Sequence, residues 1–477
     1  MLFNSFDFLV FFPVVCILYF CIPSNKWRNL FLLGASYYFY MCWEPVYALL
    51  LLASTVITYM AAIGMEKYEK HKKKLLICSL FMNLTILFFF KYFNWMAENL
   101  SSVMDALGVA IAVPKFNVLL PVGISFYIFQ ALGYSIDVYR DSVRVERNFF
   151  VYALFVSFFP QLVAGPIERS TNLLQQFYKK HRFDGDKAIT GIQLVLWGYF
   201  LKIVVADNLS LYVDEVYNHL EVHSGSDILY ASVLFCFQLY GDFAGYSYIA
   251  IGVSRVLGFK LMDNFLRPYF FSTSIQEYWK RNHISLTTWF MDYVYYPMVG
   301  SSISLYWWCF CIFITFVISG VWHGANWTYV VSFSVFGLYL VVCLLKDKRQ
   351  KKFEKKYHLK NKEIWLWLNR IITFVLLLLP LMFFRANQIG EGFYALLKMC
   401  SDLSPRILYY DFIFYFQKGV WMILFLLFVV EYCVEYKKTT FVQRHFLLSH
   451  IAMSGILLIL ILALGEFNGG QFIYFQF

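Results

Sequence analysis

His323 is the residue on which the chemistry of this chain would turn. It sits in Ser319-Gly320-Val321-Trp322-His323-Gly324-Ala325-Asn326-Trp327, between apolar runs at 304–318 and 328–345. An ionisable side chain in such a setting is costly, so it usually faces a partner, a cavity or a reaction. A neutral imidazole can take the proton of a hydroxyl as its oxygen attacks an acyl carbon, and burial favours the neutral form. Gly320 and Gly324 would let a substrate or a backbone approach closely. The structural alternative is a packed histidine in an interfacial belt with Trp322 and Trp327.

A second candidate, His283, ends the basic aromatic stretch Tyr278-Trp279-Lys280-Arg281-Asn282-His283. Lys280 and Arg281 suit an interfacial anchor, which His283 could simply extend. The segment 275–296 is amphipathic and ends at Pro297, so it is expected to be a helix lying in the inner interface. His283 would then guard a cytoplasmic entrance while His323 serves a deeper centre.

Asp242, in Gly241-Asp242-Phe243-Ala244-Gly245, interrupts the apolar run 228–253. A carboxylate there needs a partner or a polar cavity. It could orient a histidine or pair with an arginine. His219 and His223 have helical i, i+4 spacing with Glu221 between them. They lie in a polar loop and lack the His-Glu-x-x-His order of zinc proteases, so no metal site is assigned. No phosphate-binding loop, dinucleotide glycine pattern or Gly-x-Ser-x-Gly elbow is present.

The elements that must position these residues are membrane helices. The chain has 477 residues, 60% hydrophobic and 15% charged. Soluble domains run at about 45–50% apolar with about 25% charged residues. The apolar residues fall in long runs, near 8–21, 30–42, 46–64, 75–95, 118–136, 149–163, 189–205, 228–253, 304–318, 328–345, 364–384, 419–434 and 447–464, and spanning takes about 20 residues. The ten cysteines are scattered, without a CxxC pair, and suit small apolar side chains. The first apolar run lacks a preceding basic region and a following small-residue cleavage site, so it is expected as a retained helix.

The formal charge of +10 sits in short loops beside apolar runs, not on a face interleaved with stacking aromatics, which argues against nucleic acid. Lys26 and Arg28, Lys67 to Lys74, Arg140 to Arg147, Lys179 to Lys187, Lys346 to Lys356 and Lys437 to Arg444 can all be placed inside if the N-terminus is outside. The scheme requires 149–167 to enter and return on one side, a path that Pro160, Gly165 and Pro166 favour. The loop 207–227, with Asp214, Glu215 and Glu221 and no Lys or Arg, would then be outside, as would the C-terminal tail 465–477.

With these motifs the chain resembles the membrane-bound O-acyltransferases, in the branch of the alginate O-acetylation proteins. The likeness runs through Met1-Leu2-Phe3-Asn4-Ser5, Gly123-Ile124-Ser125-Phe126-Tyr127, Phe159-Pro160-Gln161-Leu162-Val163-Ala164-Gly165-Pro166, Asp242-Phe243-Ala244-Gly245-Tyr246, His283-Ile284-Ser285-Leu286 and Trp322-His323-Gly324. It implies an all-α polytopic membrane bundle of roughly eleven to twelve transmembrane helices, with re-entrant and interfacial helices, in one integral domain over 1–477 with a basic cytoplasmic loop at 346–362. It implies His323 as the catalytic residue and His283 as a second functional histidine. Asn282 stands where this branch usually has Trp. Trp322, Asn282, Asp242, Asn326 and Gln161 are the candidates for substrate binding or support. The tail Gly469-Gly470-Gln471-Phe472-Ile473-Tyr474-Phe475-Gln476-Phe477 resembles the terminal motif of a small partner protein in teichoic-acid D-alanylation. It marks Tyr474 as a candidate acyl relay, or as an interfacial aromatic anchor.

The resulting expectation is an O-acyltransferase of a bacterial plasma membrane. An acyl group, acetyl in the first instance, would pass from a cytosolic thioester such as acetyl-CoA to an extracytoplasmic polysaccharide or peptidoglycan. A secreted or anchored esterase-like partner would complete delivery, with membrane lipid around the bundle and no tightly bound cofactor. D-alanyl transfer to teichoic acid and a non-enzymatic polytopic transporter remain open at this point.

Overall fold

The computed structural model describes residues 1–109, 116, 120–266, 269–359, 362–403, 419–436, 446–467 and 472–473. Helices and turns account for their regular structure, with no strand among the described residues. Seven helices among them are long and apolar enough to cross a membrane: Tyr47–Lys67, Glu69–Ala106, Gly185–Asn218, Gly225–Val256, Leu305–His323, Trp327–Lys356 and Glu363–Arg385. Two shorter apolar helices, Phe6–Cys21 and Ser449–Leu464, accompany them. The chain is an all-α, multi-pass membrane protein. Other apolar helices among the described residues are shorter. Phe6–Cys21, Ile124–Tyr139 and Val420–Glu435 have 16 residues each. At about 1.5 Å per residue such a helix falls short of a hydrocarbon core about 30 Å thick.

Contacts group the chain into two compact units, one formed by Met1–Val195 and Ile249–Met262, the other by Leu196–Tyr248 and Asp263–Phe477. In the first unit, Asn25–Met41, Tyr47–Lys67, Lys72–Leu87, Ile124–Tyr139 and Phe149–Ser157 pack on one another. Buried polar side chains pair across these helices: Tyr152 donates to Thr58 Oγ1 at 2.7 Å and Ser54 to Asn83 Oδ1 at 2.5 Å. The 149–167 stretch is not one helix. Phe149–Ser157 stops at Phe158, the short turn Phe159–Leu162 carries Pro160 near its start, and both are buried in protein. Such cover is what an entering and returning path demands.

In the second unit, Leu305–His323 and Trp327–Lys356 lie side by side. Ser304 Oγ accepts from Trp307 N–H at the start of the first, and Asn326 Oδ1 from Thr328 N–H at 3.1 Å at the start of the second. Gly320 lets the two backbones meet, because a Cβ there would lie 2.7 Å from the Tyr329 carbonyl oxygen. Gly324 is simply extended, at φ −175°.

Two expectations about local structure change. The 207–227 segment is not all loop, since Asp207–Asn218 is helical and continues Gly185–Tyr199 through a π-helical stretch, Phe200–Ala206. The single interfacial helix expected over 275–296 is broken. Ile275–Arg281 ends at Asn282, and a new helix, Ile284–Phe290, starts from His283 in the left-handed region at φ 46°, ψ 51°.

Candidate active site

Local structure fixes His283 first. Ser274 Oγ caps Ile275–Arg281 through Glu277 N–H. Arg281, at the end of that helix, is clamped by Glu277 at 2.6 Å and Glu435 at 2.8 Å. The chain then turns sharply. A left-handed non-glycine residue costs on the order of 1–3 kcal/mol and persists only where its surroundings over-determine it. Here they do: Ile284 N–H donates to the Asn264 carbonyl at 3.0 Å and Thr287 N–H to the His283 carbonyl at 2.9 Å. The His283 imidazole is buried, and burial holds it well below the ordinary histidine range, hence neutral.

His323 is the last residue of Leu305–His323 and is 3% exposed. Its ring stacks on Phe333 at 4.3 Å and meets Trp322 edge-on at 4.9 Å. The imidazoles of His283 and His323 lie 6.3 Å apart, centroid to centroid, at 74°. Both line one narrow pocket of about 30 Å³, with Asn282, Tyr278, Phe333 and Phe384. The kink at His283 brings the two rings into the same pocket. Trp322 lies against both, 6.1 Å from the His283 ring. Asn282 Nδ2 donates to the Tyr278 hydroxyl at 2.8 Å.

A second, larger cavity of about 330 Å³ adjoins this pocket through a shared wall residue, Phe384. Its lining is polar, including Lys202, Asp207, Gln238, Asp242, Asn326 and Arg385. Lys202 forms ion pairs of 2.7 Å with both Asp207 and Asp242, all three buried. Asp242 therefore meets a lysine rather than the arginine or histidine expected of it. Glycines make this possible. A Cβ on Gly241 would lie 2.7 Å from the Leu201 carbonyl oxygen, and one on Gly245 2.8 Å from that of Gly198. The Gly225–Val256 backbone can thus press onto the segment that carries Lys202. The other oxygen of Asp242 accepts from Ile473 N–H at 2.8 Å, while Phe472 packs 4.3 Å from the Tyr246 ring.

The remaining candidates separate. Asn326 lies on the polar cavity, where Nδ2 donates to the Asn387 carbonyl at 2.7 Å. Gln161 belongs to the first unit, where Nε2 donates to Gln130 Oε1 and to the Phe155 carbonyl, each at 3.0 Å. Tyr474 lies outside the described residues. His223 has Glu215 at 3.9 Å and Asp227 at 3.8 Å as neighbours, and no metal-holding group of three or more ligands occurs among the described residues. Two participants went unread in the sequence. Lys202 was signalled by a charge inside the apolar run 189–205, whereas Asn264 gave no signal at all.

Comparisons with known proteins identify the family. The family model of the membrane-bound O-acyltransferases matches residues 140–385, which include both histidines. The "Probable alginate O-acetylase AlgI" of Pseudomonas aeruginosa is 35% identical, over 82% of this chain and 73% of that protein. The "Peptidoglycan O-acetyltransferase" of Helicobacter pylori is 31% identical, over 82% and 78%. The "Teichoic acid D-alanyltransferase" of Bacillus subtilis is more distant, 27% identical over 57% and 68%. The chain belongs to the membrane-bound O-acyltransferase family. It is accordingly an enzyme that moves an acyl group to a hydroxyl, and the transporter reading falls away.

Proposed function

We propose that this protein is an O-acetyltransferase of a bacterial plasma membrane, acting on an extracytoplasmic polysaccharide or peptidoglycan. The observation that carries the reading is the shared pocket of His283 and His323, divided from a polar cavity by Phe384. With the N-terminus outside, Asp207 and Asp214 on that cavity belong to its outer end. A thioester, acetyl-CoA, would enter from the cytosolic side and place its carbonyl at His323. The acceptor oxygen forms the new C–O bond, the C–S bond breaks, and His323 carries the hydroxyl proton towards the leaving thiolate. The resemblance of the tail 469–477 to an acyl-relay motif supports the Tyr474 hydroxyl as an intermediate acceptor. A secreted or anchored esterase-like partner would then finish delivery to the glycan.

Mass spectrometry of wall and secreted polymers from cells lacking and regaining the gene tests this. Acetyl groups that vanish and return are the expected result. The relation to a teichoic acid D-alanyltransferase supports a second reading, and loss of D-alanine with acetyl unchanged would select it.

A further inference from the structure

Asn264 is fully buried and sits where the two halves of the broken segment meet. Its side-chain oxygen Oδ1 accepts from Ser285 N–H at 3.2 Å and from the Ser285 hydroxyl at 2.8 Å. Its Nδ2 donates to Ser247 Oγ at 3.1 Å. Amide oxygens and nitrogens are told apart by their partners. A backbone N–H can only donate, so the amide atom facing Ser285 must be the oxygen. Reversing the amide would set N–H against N–H inside the protein. That same oxygen lies 3.3 Å from His283 Nδ1. An oxygen with no hydrogen to give faces a ring nitrogen, so that nitrogen must carry the proton. The other arrangement would oppose two lone pairs in a buried site, at the cost of an unmade hydrogen bond.

We propose that Asn264 is a positioning residue that sets the tautomer of His283, with the proton on Nδ1 and the lone pair on Nε2. His283 then enters the pocket it shares with His323 as an acceptor, able to receive a hydrogen bond or a proton from an N–H or O–H of bound substrate but not to donate one. The amide on Nδ1 fixes the orientation of the ring as well as its tautomer. The two histidines thereby have different duties: His283 receives from a donor group, and His323 moves the proton of acyl transfer. The second half of this statement rests on the function proposed above; the tautomer does not.

The test is nitrogen-15 NMR of histidine-labelled protein in detergent micelles, with His283→Gln assigning the signals. Nδ1 in the protonated range and Nε2 in the unprotonated range is the expected result. A proton on Nε2, or a mixture of tautomers, would overturn the proposal even if the enzyme acetylates as proposed. Kinetics with acetyl-CoA as probe donor, in membranes holding the full-length chain, supply the second readout. Asn264→Asp keeps an acceptor for Nδ1 and for Ser285, and it should retain transfer within a few-fold. Asn264→Leu should lower kcat by about 10- to 100-fold with KM little changed, because the ring loses the hydrogen bond that holds its tautomer. Asn264→Asp as inactive as Asn264→Leu, in protein that folds, would contradict the positioning role. If the tautomer is as stated but no acetyl transfer occurs in the wild type, only the proposed function fails.

Discussion

Lys202 holds two aspartates at once, Asp207 and Asp242, each at 2.7 Å and each buried. Removing one partner of a buried ion pair costs about 3–5 kcal/mol, because the remaining charge stays without compensation. Lys202→Met should therefore unfold at a clearly lower temperature in detergent than the wild type. Adding Asp242→Asn should recover part of the loss by removing one stranded charge. Wild-type thermal stability in Lys202→Met would mean the triad is not held together as described.

Close packing of Gly245 gives a second expectation. A Cβ there would lie 2.8 Å from the Gly198 carbonyl oxygen and 3.0 Å from the Lys202 amide nitrogen. Backbone cannot yield as a flexible side chain does, so Gly245→Ala should lower the yield of monodisperse protein. Gly34, whose added Cβ would meet nothing within 4 Å, is the control: Gly34→Ala should behave as the wild type in size-exclusion chromatography.

Glu168 predicts a pH dependence in the first unit. Burial pushes its carboxyl up to about 7, against opposing hydrogen bonds from Met262 N–H and the Asn172 amide. The folded state thus binds this proton more tightly than the unfolded chain, whose carboxyl titrates near 4.5. Its stabilising effect is complete below about pH 4.5 and is lost as pH rises through about 7. Wild-type melting temperature should fall between pH 6 and pH 8 more steeply than that of Glu168→Gln. Parallel slopes would contradict it.

The two histidines share one pocket, so their losses should not add. Residues acting as a unit give double variants little worse than the worse single one. Membranes carrying His283→Ala, His323→Ala and the pair, assayed for acetyl transfer, should show this pattern. Multiplying effects would place the residues in separate steps.

Much of the membrane architecture was legible because an apolar run of sufficient length has few alternatives to a membrane helix. His323 was legible by a related rule, since a titratable group among apolar residues must have a use. Lys202 falls under the same rule, but its place near the end of a run makes it read as a boundary. The adjacency of His283 and His323 was not legible. Amphipathic periodicity continues across Asn282 and His283 and gives no sign of the left-handed residue that breaks the helix. Asn264 lies in a polar connecting stretch, and only folding brings it to His283 and Ser285.

The most direct test of the account is acetyl transfer by His323→Ala. Full-length wild-type and variant protein, matched in amount and monodispersity, would be assayed in membranes for transfer of radiolabelled acetyl groups from acetyl-CoA to endogenous polymer. Labelled polymer is expected with the wild type and only background with His323→Ala. Wild-type labelling by His323→Ala would contradict the assignment of His323 as the group that moves the proton.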